Sequence, residues 1–265
     1  MTDATLATTI AYERIESQVN WCGICVSDGI GFNSFITNDV TSRLRDEEGA
    51  NAFEKHLRGL TSTGFAQDSL NRILAADVPE ERDWAIGESI AEAFLNRYHN
   101  VTWPWNHERD KRNSKASLPG ADLIGFEVIG DRVRLVLGEV KTSTDGHFPP
   151  GVMNGRSGMT HQIDNLANNL GLINKLLKWL LPRCKGTDYE VTFNAAITLY
   201  LESGNKAVAL FGVLIRDTTP NQLDLQTRGN ALARTLQAPT SCRLIAIYLP
   251  CPIVDLPDRV RGGQL

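Results

Sequence analysis

Residues 119–143 read PGADLIGFEVIGDRVRLVLGEVKTS. Gly130-Asp131 is a turn signal between two apolar runs, so the stretch predicts a β-hairpin with arms ADLIGFEV and RVRLVLGEVKTS. In the second arm Val133, Leu135 and Leu137 alternate with the period of a half-buried strand. The same alternation puts Glu139 and Lys141 in that inward row. Charges that continue an apolar row are costly unless they meet a metal, a counter-charge or a cleft. With the turn at 130–131, antiparallel pairing sets Asp122 nearly opposite Glu139. Two acids and a lysine therefore converge at one end of one hairpin. Lys141 is also the only lysine of the chain with an acidic residue two positions before it.

Upstream, EERDWAIGESIAEAFLNRYHN predicts a helix over about 80–98. Its apolar arc runs from Ala93 and Ile86 to Trp84 and Leu95, with Glu88 at the edge and Ser89, Glu92 and Asn96 on the open side. Residues before about 40 read as mixed strand and loop, followed by helices near 42–58 and 66–77. Downstream, a glycine-containing loop leads into a long helix near 160–181, where Ile163, Leu166, Leu170, Ile173, Leu177 and Leu180 recur at helical spacing. Strands are expected near 189–201 and 207–215, then a polar helix near 221–236 and a last strand, RLIAIYL. This order implies an α/β fold with a mixed sheet flanked by helices. Residues 1–79 read as an N-terminal extension, mixed and helical, that could dock a partner; residues 80–265 read as the chemical domain.

Composition is that of an ordinary globular chain, 42% apolar and 22% charged. The net charge of −4 is more informative. Proteins that hold nucleic acid alone draw on many lysines and arginines, so an acidic chain acting on DNA needs a local basic surface or a partner. The odd, unevenly spaced cysteines, the absence of a long apolar run and the start MTDATLATTIAYER predict a protein of the reducing cytosol, without a membrane span.

Asp122 and Glu139 are the oxygen donors that Mg²⁺ (or Mn²⁺) favours, since such an ion takes one or two carboxylates together with water and phosphate. A cation so held acidifies water and polarises a phosphoryl oxygen. Lys141 can orient that water or offset charge building on the phosphate.

The helix segment IGESIAEAFL, then PGADLIGF, then LVLGEVK resemble the PD-(D/E)XK nuclease superfamily, the restriction-endonuclease-like fold, in order, element type and spacing. The resemblance covers about residues 80–181. It implies that Glu88, Asp122 and Glu139 hold the metal, that Lys141 assists hydrolysis, and that a polar residue opening the next helix joins them; of His161 and Gln162, Gln162 is the better placed. The departure is that Gly120-Ala121 separates Pro119 from Asp122. The chain also looks like the nuclease subunits of the Hachiman anti-phage defence system, which implies a DNA substrate and a superfamily 2 helicase as partner. Two other readings are a silent nuclease-fold module that docks a helicase or DNA, and a restriction-type endonuclease.

Other features carry less. The WCGIC stretch at 21–25 imitates a redox pair, but the glycine-rich residues after it predict no helix to stabilise a thiolate. Trp103 and Trp105 beside Arg109, Lys111, Arg112 and Lys115 could touch DNA, or the tryptophans could pack on the core under a solvated loop. No phosphate-cradling glycine loop is present, so no nucleotide cofactor is expected.

Overall fold

The structure, a computed structural model, describes residues 5–76, 83–110 and 120–262, with only the backbone at 83 and 84. Lys111, Arg112, Lys115, Pro119 and the side chain of Trp84 lie outside it. The chain opens with an antiparallel hairpin of β1 (Thr8–Glu16) and β2 (Val19–Val26). A helical run follows, formed by α1 (Ile30–Ser34), a π turn (Phe35–Val40) and α2 (Thr41–Leu44). Next come α3 (Glu47–Leu60), α4 (Gly64–Ala75), α5 (Asp83–His99), β3 (Val101–Thr102) and the short α6 (His107–Asp110). The hairpin of β4 (Leu123–Ile129) and β5 (Arg132–Ser143) precedes α7 (Met159–Asn168), α8 (Leu170–Cys184) and α9 (Tyr189–Glu202). Strand β6 (Val208–Arg216), α10 (Leu223–Thr235), β7 (Ser241–Tyr248) and α11 (Leu256–Gly262) complete it.

The strands form one seven-stranded sheet in the order β1-β2-β7-β6-β5-β4-β3. Its middle, β2-β7-β6-β5, is parallel, and antiparallel strands close both ends, so the fold is α/β with a mixed sheet flanked by helices. Among the described residues no helix is long and apolar enough to cross a membrane. The first hairpin is not set apart from the core. Strand β2 pairs with β7 from Val19 to Cys25, Trp21 joins the main core, and Tyr12 Oη lies 3.0 Å from Tyr248 Oη.

Several expectations change. Residues 189–202 form a helix, not a strand. The β-branched residues of YEVTFNAAITLYLE favour a strand locally, but Phe193, Ala196 and Tyr200 recur at helical spacing and face the core, and packing overrides propensity. The long helix expected over 160–181 breaks at Asn169, whose side chain accepts the Leu172 N–H at 3.0 Å and caps α8. The helical run after residue 30 and the closing α11 were not foreseen, having too few residues for a clear period. Strand β5 is buried on both faces, because β4 and β6 flank it and helices cover it above and below.

Gly229 of α10 sits directly on the Trp21 ring, and an added Cβ would collide with that ring. Gly229→Ala should lower unfolding stability by about 1–3 kcal/mol through overpacking. Gly59→Ala, whose Cβ would meet nothing in α3, should raise it by up to about 1 kcal/mol. Urea denaturation of both variants checks the opposite signs.

Candidate active site

The β4–β5 register pairs Leu123 with Gly138, and the Asp122 N–H donates to the Gly138 carbonyl at 3.0 Å. Beyond that point β4 offers no further backbone partner. The Asp122 carboxylate takes its place, accepting the Val140 N–H at 2.9 Å. This bond fixes the carboxylate against β5 beside Glu139. Glu139 pairs with Gly212 of β6, and Lys141 pairs with Leu214, so both side chains leave the same face of the sheet. Lys141 Nζ donates to Glu139 Oε1 at 2.5 Å and to Gln162 Oε1 at 3.3 Å.

Gln162 belongs to α7. Met159, Ile163 and Leu166 bury that helix against β5 and β6, with Met159 lying over Gly212. The amide of Gln162 therefore hangs over the charged pair, and turned about, its nitrogen would donate to Glu139 instead. His161, the other candidate at this helix start, is exposed.

Glu139 is almost fully buried. Burial, and then the neighbouring Asp122 charge, push its carboxyl well above the usual range, although Lys141 opposes the shift. Two carboxylates forced together in a dry site with one ammonium form a donor set that suits a hard divalent cation.

Glu88 has a different setting. Gly87 packs against the Thr142 hydroxyl, so α5 covers the face of β5 opposite to Glu139 and Lys141. Glu88 is itself buried, with Oε2 at 4.0 Å from His107 Nδ1. Among the described residues no three His, Cys, Asp or Glu side chains gather to hold a metal, so Glu88 does not make such a group with Asp122 and Glu139.

Of the open side expected for this helix, Asn96 is exposed but the rest is covered. Ser89 and Glu92 are fully buried, because α2 and the 103–107 segment lie over them. Glu92 receives Arg43 Nε at 2.6 Å and stands 3.2 Å from His107 Nε2. Burial alone would raise its carboxyl, but Arg43 and His107 outweigh burial and hold it down at about 2. Sequence reasoning missed this cluster, since its members lie far apart in the chain and no local spacing marks them.

Of the aromatic-basic loop, the aromatic half is core. Trp103 Nε1 donates to the Glu92 carbonyl at 3.0 Å and Trp105 Nε1 to the Ile124 carbonyl at 2.8 Å. Arg109 is more exposed and donates to Asp110 at 3.0 Å. Cys22 and Cys25 lie on strand β2, and the five cysteines are free thiols. Comparison with known proteins gave no match: no family model matches the chain, and no curated protein or solved structure matches it significantly.

Two expected outcomes follow from these charges. For Glu139 the native carboxyl lies above its unfolded value, so the native state loses stability as pH rises from the ordinary carboxylate value towards the raised one. Without metal, Glu139→Gln should melt at or above the parent temperature at pH about 8 and lose that advantage near pH about 4.5; melting well below the parent at pH about 8 would contradict it. Glu92 carries the opposite sign, with a lowered native value. Its stabilisation is full above its ordinary value and fades as pH falls towards about 2. Arg43→Ala should cost up to about 3–5 kcal/mol near neutral pH by leaving the buried Glu92 charge with His107 but without its guanidinium, read from denaturant midpoints.

Proposed function

We propose that this chain is a metal-dependent deoxyribonuclease whose working group is Asp122, Glu139, Lys141 and Gln162. The observation that carries the reading is the Lys141–Glu139 pair beneath the Gln162 amide, beside an Asp122 carboxylate locked against the same strand. The PD-(D/E)XK resemblance in the sequence agrees with it. Asp122 and Glu139 would hold Mg²⁺ or Mn²⁺, which supplies Lewis acidity toward phosphate and acidifies water. Lys141 carries three donors, and its bond to Glu139 orients its ammonium. An approaching phosphodiester can take one of those donors and offset the charge that grows on its oxygens as the P–O bond breaks. Glu88 lies across the sheet from this group and is given no direct part in it.

The acidic chain supports dependence on a partner that holds the DNA. We assign that role to a superfamily 2 helicase in an anti-phage defence complex of the Hachiman kind. A second reading, a nuclease-fold module that binds without cleaving, is favoured by the lack of a three-carboxylate group among the described residues. Titration calorimetry with Mg²⁺ and Mn²⁺ separates the two, because a binding module need take up neither.

On plasmid DNA with Mg²⁺, with and without the helicase, Glu139→Ala and Lys141→Ala should each slow cleavage by about a hundredfold or more. Chelation should stop it altogether. Cleavage that persists in the double variant rejects the assignment.

A further inference from the structure

The segment that joins Lys141 to Gln162 begins and ends at the candidate site. It leaves β5 at the carboxyl ends of the parallel strands β5, β6 and β7, the rim at which open α/β sheets bind their ligands. An ordered turn follows at once. Asp145 accepts the His147 N–H at 3.0 Å and the Gly151 N–H at 2.9 Å, and these donors hold its carboxyl well below the usual carboxylate range. Arg216 fixes where the turn lies. It ends β6, paired with Ser143, and two residues beyond Leu214 it leaves the face of the sheet that carries Glu139 and Lys141. From that face its fully buried guanidinium donates to the His147 carbonyl at 3.2 Å and lies 5.4 Å from the centre of the Phe148 ring. The turn is therefore drawn onto the side of the sheet where the candidate site opens.

The backbone bonds close this turn without any help from the His147 ring. The ring is nonetheless held, with Nδ1 at 2.5 Å from Asp145 Oδ1, while 87% of the side chain stays in water. An ionised carboxylate can only accept, which assigns a proton to Nδ1 and leaves Nε2 turned to solvent. An imidazole oriented by a carboxylate, with its other nitrogen open, is equipped for proton transfer. The four residues of the proposed site do not cover that task. Asp122 and Glu139 have no proton to give once they hold a cation, and Lys141 is committed to Glu139 and to the phosphate charge.

We propose that His147, oriented by Asp145, is the general acid that protonates the leaving sugar oxygen when the chain cleaves a phosphodiester. The assignment rests on the nuclease reading given above. Water attacks phosphorus, the bond from phosphorus to the leaving oxygen breaks, and the imidazolium Nε2 proton passes to that oxygen. The proton that the attacking water releases returns to the ring through solvent. Asp145 is a positioning residue in this step, since it touches the ring and not the substrate.

The dependence on the leaving atom tests the role. Cleavage is followed with Mg²⁺, with and without the helicase, on ordinary DNA duplexes and on duplexes in which sulfur replaces the 3′- or the 5′-bridging oxygen of one phosphodiester. His147→Ala should slow cleavage of ordinary DNA by about a hundredfold or more. Its melting temperature should stay at that of the parent, because the ring is exposed. On the duplex whose leaving atom is sulfur its rate should match the parent, because a thiolate departs without a proton. Asp145→Asn, which keeps an acceptor for the backbone but not the charge, should show the same pattern in weaker form. Should His147→Ala match the parent on ordinary DNA, or be slowed equally on oxygen and on sulfur, while Glu139→Ala is inactive, the general-acid role is overturned and the nuclease reading stands. A parent chain that cleaves neither duplex under these conditions overturns both.

Discussion

Strand β5 is hydrogen-bonded along both edges and packed on both faces, and it carries Glu139 and Lys141 into that enclosure. A buried carboxylate costs several kcal/mol unless partners meet it. The surroundings of the strand answer that cost. Lys141 turns back onto Glu139, Gln162 reaches over from α7, and Asp122 binds the backbone where β4 stops pairing. The compensation is partial, since Glu139 still prefers its proton. A site left in that condition has room for one more positive charge, which is the physical content of a metal-binding reading.

The opposite face of the sheet solves a related problem in another way. Helix α5 carries Glu88, Ser89 and Glu92 into the interior, and Glu92 is matched by Arg43 from α2 and by His107. Here the carboxylate is held ionised, so the same chemical group is stabilised on one face and frustrated on the other. Arg43 also donates to the Trp105 carbonyl at 2.5 Å, which ties the N-terminal helices to the segment leading into β4. Together with the β2–β7 pairing, this makes the first part of the chain a structural member of the α/β core. Among the described residues, helices α3 and α4 bury little against that arrangement.

Much of the candidate site could be read from one hairpin. Turn position and a two-residue period decide which residues of adjacent strands face each other, so the meeting of Asp122 with Glu139 and the shared face of Glu139 and Lys141 follow from local rules. A 3.6-residue period found the apolar face of α7, while Gln162 at its start was implied by the resemblance and not by spacing. They failed at 189–202, where β-branched residues sit in a helix that the sheet requires as cover, and at Asn169, where one capping side chain divides an otherwise continuous apolar period.

What only the tertiary structure decided is the environment of each charge. Helical spacing put Glu88 at the edge of the apolar arc and Glu92 on the open side, but their burial depends on α2 and on the 103–107 segment, which no local period brings over them. Likewise the order of the parallel strands comes from pairings distant in the chain, from Leu135 with Val208 to Trp21 with Leu244. The sequence by itself determined the hairpin, its acids and its lysine, because short-range geometry is enough for them. The sheet order, the pairing of Glu92 and the separation of Glu88 from Glu139 were settled by long-range packing, where the burial of charge and not the spacing of residues selects the arrangement.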